Sequence, residues 1–227
     1  MESLIEIRDM KKIYNPGENE VRALDDVSLT INRGEFVAII GQSGSGKSTL
    51  MNMLGCLDVP TSGTYILDGK DVSQLTDDEQ SDIRNKEIGF IFQGFNLIAN
   101  LTAIENVELP LIYRGVGQKE RRELALKALE IVGLGNRGTH KPAEMSGGQQ
   151  QRVAIARAIA QAPPIILADE PTGNLDSGST KEIMDILRRL HEEGRTVILI
   201  THDNEIAASA KRNIRIRDGK IVEDITR

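Results

Sequence analysis

The stretch Phe36-Val-Ala-Ile-Ile40-Gly41-Gln-Ser-Gly-Ser-Gly-Lys-Ser-Thr49 decides the fold. It opens with a continuous apolar run that is too short for a helix and is typical of a strand buried on both faces. A glycine-rich loop follows and satisfies the pattern G-x-x-x-x-G-K-[ST] with Gly41, Gly46, Lys47 and Ser48. Strand, loop and following helix together predict a phosphate-binding (Walker A) loop at the carboxyl end of a strand.

The residues of this loop suit a nucleoside triphosphate and its metal ion. Glycines allow the torsions that turn successive N–H groups inward, and a helix N-terminus adds a favourable field for phosphate. Lys47 would reach the β- and γ-phosphates, and the Ser48 hydroxyl would bind Mg²⁺. The residues of the loop expected to contact the nucleotide are Gly41, Ser43, Gly44, Ser45, Gly46, Lys47, Ser48 and Thr49.

The loop alone leaves GTPases, kinases and ATPases open. The guanine motif Asn-Lys-x-Asp is missing, since the candidate reads Asn85-Lys-Glu-Ile88. This disfavours the GTPases.

Two further apolar runs, 165–168 and 197–200, have the same character as the first. Separated by helical stretches, they predict a parallel sheet whose carboxyl edge gathers ligands. The first of them ends in Asp169 and Glu170, the pattern of a Walker B strand. Asp169 would hold Mg²⁺, and Glu170 would orient or deprotonate a water in line with the γ-phosphate. Without the glycine-rich loop, an acid pair that faces solvent would be the favoured interpretation.

The rest of the chain predicts two additions to this sheet. Residues 3–8 and 21–31 are β-like, and a turn signal at 15–19 lies between them, which favours an N-terminal antiparallel β region. Residues 119–132 place apolar side chains on one helical face, and about 95–160 is predicted to be a mainly helical insert. We therefore expect one domain over residues 1–227, of the α/β class, with a RecA-like parallel-sheet core of the P-loop NTPase type.

A second phosphate-binding helix start is predicted at Met145-Ser-Gly-Gly-Gln-Gln-Gln-Arg152. Small residues at the start of a helix let an anion approach the backbone, and the Ser146 hydroxyl adds a donor. Two such helix starts in one chain favour a dimer in which the copies share each nucleotide.

The same stretch resembles the signature motif of the ABC ATPases, and it lies between Walker A and Walker B as in that family. Met145 stands where the family commonly has leucine, a volume-conserving change. Gln93, after Phe90-Ile-Phe92, resembles the Q-loop glutamine, which the resemblance assigns to Mg²⁺ and to sensing a membrane partner. The motif residues are Ser146, Gly147, Gly148 and Gln149.

Three more positions match motifs of the family. Gly173-Asn-Leu-Asp176 resembles the D-loop, and His202 resembles the switch histidine that contacts the γ-phosphate. Tyr14 stands where the family places an aromatic ring that stacks on adenine. Taken alone, Tyr14 and His202 would be interpreted as structural residues. The resemblance implies catalytic roles for Lys47, Gln93, Glu170 and His202, a Mg²⁺ site at Ser48, Gln93 and Asp169, and ATP contacts that include Tyr14, the signature residues and Asp176.

Other stretches, 54–58, 92–97 and 140–152, are similar to ATPases of macrolide export, lipoprotein release, antimicrobial-peptide resistance and cell division (the MacB/LolD/FtsE-like group). This implies a separate integral-membrane permease and export or release of a macrolide, peptide or lipoprotein-like substrate. One alternative is an ATPase that changes the shape of a membrane partner without moving cargo, as in the FtsE-like proteins. A soluble ABC ATPase without transport is disfavoured by the single cassette and the absence of a sustained heptad run.

Phenylalanines 90, 92 and 95 surround Gln93 in sequence and allow two interpretations. They would floor a groove that receives a partner helix, or fill the boundary between sheet and helical insert.

Composition limits the remaining possibilities. The 227 residues are 39% hydrophobic, enough for one sizeable core, and the net charge of -6 argues against a nucleic-acid partner. No apolar run approaches the roughly 18 residues of a membrane span, and the start is too charged for a signal peptide. The single cysteine, Cys56, fits a reducing compartment. We expect a cytoplasmic homodimer, with ATP between Walker A and signature motifs, that is peripheral on the inner face of the membrane through its permease.

Overall fold

The computed structural model describes residues 2–17 and 19–227. Met1, in the charged N-terminal stretch, and Glu18, in the turn expected at 15–19, lie outside the described residues. Two sheets are formed, one with six strands and one with four. The strands are β1 (Ser3–Tyr14), β2 (Val21–Asn32), β3 (Phe36–Ile40), β4 (Ser62–Leu67), β5 (Lys70–Asp71), β6 (Ile88–Phe92), β7 (Ile165–Asp169), β8 (Thr196–Thr201), β9 (Arg212–Arg217) and β10 (Lys220–Thr226).

The six-stranded sheet has the order β10-β9-β3-β8-β7-β6. Strands β3, β6, β7, β8 and β9 are parallel, and β10 is an antiparallel edge strand. The three apolar runs are direct neighbours, with Ile40 opposite Thr201 and Asp169 opposite Ile200. Their carboxyl ends therefore meet at one edge of the sheet, as predicted.

The central strands are buried because both faces of this sheet are covered. In β3, Phe36, Ala38 and Ile40 face one apolar cluster, while Val37 and Ile39 face another. Strands β7 and β8 divide their side chains in the same way. This two-sided burial is the reason for runs that lack any polar alternation.

The four-stranded antiparallel sheet, of order β2-β1-β4-β5, contributes to the second cluster. Strand β1 pairs with β2 on one side and with β4 on the other. The predicted N-terminal β region is confirmed, and its first strand extends to Tyr14, beyond the expected end at residue 8.

Helices cover the remaining surfaces. Three of them, α3 to α5 in the list below, fall within the predicted helical insert at about 95–160, and helix α5 starts directly after Ser146. Within the described residues, none of the helices has both the length and the apolar character of a membrane span. The helices are α1 (Lys47–Leu54), α2 (Asp77–Glu87), α3 (Ala103–Tyr113), α4 (Gln118–Ile131), α5 (Gly147–Ile159), α6 (Ser177–Glu192) and α7 (Asn204–Ala207).

Candidate functional site

A cleft of about 1210 Å³ opens at the carboxyl edge of the six-stranded sheet. It collects residues from β1, the loop after β3, and the ends of β6, β7 and β8. Most of the residues predicted from sequence line it, namely Tyr14, Gly41, Ser43, Gly44, Gly46, Lys47, Ser48, Thr49, Gln93, Asp169, Glu170 and His202.

The glycine-rich loop needs glycine for two physical reasons. Gly44 and Gly46 have φ of 78° and 105°, in the region that other residues rarely adopt. A Cβ on Gly46 would also lie 2.6 Å from the carbonyl oxygen of Ala23. Helix α1 begins directly after Gly46, and within the described residues no side chain caps its first turn. Its N-terminal N–H groups therefore remain free to bind an anion.

Lys47 lies across the loop. Its Nζ donates to the carbonyl oxygens of Gly41, at 2.6 Å, and Gln42, at 2.8 Å. The ammonium is thus held where a phosphate would meet it. Ser45, also predicted to contact the nucleotide, is not on the cleft wall: its side chain is buried, and its Oγ has no partner within residues 2–17 and 19–227.

Asp169 is partly buried at the end of β7. Burial raises the pKa of its carboxyl, the neighbouring charge of Glu170 raises it further, and the Lys47 ammonium opposes both. Such a carboxylate gains from a cation beside it. Asp169, the Ser48 hydroxyl and the Gln93 amide supply oxygen atoms on one cleft, a donor set that suits Mg²⁺.

Glu170 is held by the end of strand β8. Its carboxylate accepts hydrogen bonds from the backbone N–H of His202 at 2.9 Å, from His202 Nδ1 at 2.6 Å and from Thr201 Oγ1 at 3.1 Å. An ionised carboxylate only accepts, so Nδ1 carries the proton in this contact. Glu170 also has a left-handed backbone, with φ of 45°. Strained backbone of this kind is concentrated at functional sites.

Gln93 is paired with the predicted D-loop. Its Nε2 donates to Asn174 Oδ1, and Asn174 Nδ2 donates to the Gln93 carbonyl, both at 3.2 Å. Gly173 permits this approach, because a Cβ there would lie 2.7 Å from the Gln93 Nε2.

Tyr14 also lines the cleft. Its hydroxyl donates to Asp58 Oδ2 at 3.1 Å. Burial and this carboxylate both raise the pKa of Tyr14. The ring is therefore a neutral surface.

The signature residues lie elsewhere. Ser146 is the N-cap of α5: its Oγ accepts from the Gln149 N–H at 3.3 Å, and Gln149 Oε1 accepts from the Ser146 N–H at 3.0 Å. Asp176 likewise caps α6, and hydrogen bonds from Ser179 lower the pKa of its carboxyl. The predicted residues that do not line the cleft are Ser45, Ser146, Gly147, Gly148, Gln149 and Asp176.

Three residues that contact the predicted site or the chain next to it were not among the predicted site residues: Thr201, Asn174 and Gln151. The sequence indicates Thr201 as a candidate, because it stands beside His202 at the end of a strand. It also indicates Gln151, because this is a polar residue on the buried face of α5. No sequence pattern predicts the contact of Asn174 with Gln93.

A second groove of about 830 Å³ is lined by Phe90 and Phe92, whose rings stack with centroids 5.6 Å apart. Leu57 and the exposed Tyr113 also line it. Phe95 is not on this groove but lies beside Gly147, so the three rings do not share one surface.

A phosphate loop between a buried parallel strand and a helix, with an acid pair on a nearby strand, defines a P-loop nucleoside triphosphatase. Comparison with known proteins refines this class. The chain belongs to the ABC transporter family, whose sequence pattern matches residues 24–173.

Curated relatives cover nearly all of this chain. The macrolide export ATP-binding/permease protein MacB of Hyphomonas neptunium is 58% identical over 97% of this chain, which spans 34% of MacB. The chain is therefore about a third of the length of the MacB proteins that it matches. An uncharacterised ABC transporter ATP-binding protein of Thermotoga maritima is 53% identical, over 97% of this chain and 94% of its own.

Solved structures agree. A dimeric post-hydrolysis structure of the ATP-binding cassette MJ0796, bound to ADP and Pi, matches with a TM-score of 0.90 at 48% identity, over 98% of each chain. A second dimeric structure of MJ0796 also has a TM-score of 0.90, at 49% identity and the same coverage. The predicted fold and family are confirmed.

Proposed function

We propose that residues 1–227 form one ATPase unit that works as a homodimer and energises an integral-membrane permease. The observation that carries the proposal is the separation of two anion-binding elements. One cleft holds the phosphate loop, Gln93, the acid pair and His202, whereas Ser146 and Gly148 lie outside it. A head-to-tail pair would place the signature of one copy over the phosphate loop of the other.

ATP would bind with its triphosphate on the free N–H groups of α1. Lys47 would exchange the carbonyls of Gly41 and Gln42 for the β- and γ-phosphate oxygens. The Tyr14 ring would stack on the adenine, and stacking needs no base-specific hydrogen bond.

Mg²⁺, when bound by Ser48, Gln93 and Asp169, would neutralise charge on the β- and γ-phosphates. The raised pKa of Asp169 supports this assignment, because a buried carboxylate beside a second acid is poorly compensated by Lys47 alone.

Glu170 would orient or deprotonate the attacking water. Its present hydrogen bonds to Thr201 and His202 hold the carboxylate at the end of β8. On ATP binding, His202 would donate a ring N–H to a γ-phosphate oxygen. Loss of the γ-phosphate removes the link between the copies, so the dimer opens and moves the permease.

The permease would contact the groove at Phe90 and Phe92, which begins next to Gln93 and is rimmed by the exposed Tyr113. This contact would hold the protein at the inner face of the membrane. Similarity to MacB supports export or release of a macrolide, peptide or lipoprotein-like substrate. A second candidate is an ATPase that changes the shape of its membrane partner without transport, supported by the likeness of several stretches to FtsE-like proteins.

The Glu170→Gln variant tests the proposed hydrolysis and the proposed ATP-dependent dimer. It should retain ATP, hydrolyse it at least about a hundredfold more slowly, and elute as a dimer in size exclusion with ATP. Lys47→Ala should instead weaken ATP binding and stay monomeric. A Glu170→Gln variant that turns over at the wild-type rate, or stays monomeric when saturated with ATP, would contradict the proposal.

Reconstitution with the permease separates the two functions. Transport should show cargo movement together with permease-stimulated hydrolysis. Stimulated hydrolysis without movement of any cargo would favour the shape-changing ATPase.

A further inference from the structure

Lys12, Tyr14 and Asp58 form a polar cluster beside the cleft, which Tyr14 itself lines. Lys12 Nζ donates to Asp58 Oδ1 at 2.7 Å and to the Val59 carbonyl at 2.8 Å. The Tyr14 hydroxyl donates to the other oxygen of the same carboxylate at 3.1 Å. The Lys12 ammonium also lies over the Tyr14 ring, 5.0 Å from its centroid. One carboxylate thus binds both side chains.

Asp58 stands on a loop whose backbone is fixed from several sides. The Tyr65 hydroxyl donates to the Leu54 carbonyl at 2.9 Å, and Arg84 donates to the Cys56 carbonyl at 2.7 Å. Tyr65 itself is almost completely buried. This loop follows α1, the helix that starts at the phosphate loop. Asp58 therefore follows a segment of backbone that is held by hydrogen bonds from Tyr65 and Arg84.

Tyr14 needs an anchor because it is the last residue of β1, directly before the irregular stretch from residue 15. A ring that is free to turn loses side-chain entropy when a base stacks on it. A ring that is already fixed avoids most of that loss, which raises affinity through preorganisation. The ammonium of Lys12 lies over one face of the ring.

We propose that Asp58 and Lys12 are positioning residues for the Tyr14 ring, and that they strengthen binding of the nucleotide base without affecting binding of the triphosphate. The inference rests on the proposed stacking of adenine on Tyr14. It assigns no direct ligand contact to Asp58.

The test compares two ligands, Mg-ATP and Mg-tripolyphosphate, which differ by the nucleoside. Both dissociation constants are measured by competition against a fluorescent nucleotide. Asp58→Ala and Tyr14→Phe should each raise the Kd for ATP about 3- to 10-fold and leave the Kd for tripolyphosphate within about twofold. Their double variant should raise the Kd for ATP by less than the product of the two single effects, because both remove the hydrogen bond between the Tyr14 hydroxyl and Asp58.

A matched control is Asp185→Ala, which breaks an ion pair with Arg188 on α6, away from the cleft. Both dissociation constants should be unchanged. If Asp58→Ala weakens ATP and tripolyphosphate equally, Asp58 supports the phosphate loop as a whole and the inference is wrong. Unchanged ATP affinity in both anchor variants would also overturn it.

Tyr14→Ala separates this inference from the proposed function. If that variant weakens ATP relative to tripolyphosphate while Asp58→Ala and Tyr14→Phe do not, stacking stands and the anchor is wrong. If Tyr14→Ala changes neither the Kd for ATP nor the ratio of the Kd values for ATP and tripolyphosphate, the stacking itself is wrong. Should Asp58→Ala fail to fold, Asp58→Asn and Lys12→Met give the same comparison.

Discussion

Gln151 is completely buried, and its side chain links helix α5 to the chain before Gln93 and to the chain after Glu170. It extends from α5, and its Nε2 donates to the Pro171 carbonyl at 2.6 Å and to the Phe92 carbonyl at 3.3 Å. Phe92 directly precedes Gln93, and Pro171 directly follows Glu170. Its Oε1 has no hydrogen-bond partner in the described chain.

Replacing this amide by a carboxylate should be costly. Gln151→Glu removes two donated hydrogen bonds worth about 1 kcal/mol each and places an acceptor against two carbonyl oxygens. Burial of an unpaired charge, or its forced protonation, raises the total to at least about 3 kcal/mol. For a domain of this size we expect a fall in Tm of roughly 6–12 °C. Gln151→Leu loses the same bonds but also removes the unpaired Oε1, so about 1–2 kcal/mol is expected.

Thermal and urea denaturation of the nucleotide-free protein at neutral pH would measure these differences. The matched control is Gln150→Glu, one residue earlier on α5, which loses one hydrogen bond to the Met145 carbonyl but at a partly buried side chain where water can reach a carboxylate. It should cost less than about 1 kcal/mol. If Gln151→Glu proves as stable as Gln150→Glu, the amide does not join these segments as the structure indicates.

Three further predictions follow from burial and backbone geometry. Asp169→Asn should raise the Tm of the nucleotide-free protein at pH 7, because the folded pKa of Asp169 lies above its unfolded value and ionisation of this carboxyl therefore lowers the stability of the wild type once the pH exceeds the unfolded pKa. The gain in Tm should vanish below the unfolded pKa. A gain that does not depend on pH would contradict this cause. Gly46→Ala should destabilise the protein by at least about 2 kcal/mol in denaturant titrations, and Gly44→Ala should cost less. Both glycines have positive φ, but only a Cβ on Gly46 would lie against a backbone oxygen. Burial raises the pKa of Cys56 to about 11, so its reaction with a thiolate-specific reagent at pH 8 should be at least about a hundredfold slower than that of an ordinary thiol. In urea the reaction should reach the rate of an ordinary thiol. Rapid labelling of the native protein would contradict the prediction.

The sequence predicts those parts of the site that depend on chain order. An apolar run buried on both faces marks a central strand, and the residues after parallel strands meet at one edge. This is why the phosphate loop, Asp169, Glu170 and His202 could be placed together before the structure was known.

Contacts between side chains far apart in sequence could not be predicted. The hydrogen bonds of Tyr14 with Asp58 and of Gln93 with Asn174 join residues 44 and 81 positions apart. They depend on how strands and loops align in three dimensions, which no local pattern records.

Helix α2 was missed for another reason. Ile83 is its single apolar residue, so there is no amphipathic period to detect. Its start is set instead by a capping box, in which the Thr76 side chain accepts from the Glu79 N–H and the Glu79 carboxylate accepts from the Thr76 N–H. A search for caps, rather than for apolar periodicity, would have found it.

Three features of the cleft are energetically unfavourable for the polypeptide alone, and bound Mg-ATP would relieve two of them. Asp169 is partly desolvated beside a second acid, the first turn of α1 has no side-chain cap among the described residues, and Glu170 holds a left-handed backbone. A bound cation would relieve the first of these and a bound phosphate the second. Under the proposed function, Mg-ATP would therefore stabilise the folded chain both by its own contacts and by relieving the desolvation of Asp169 and the uncapped first turn of α1.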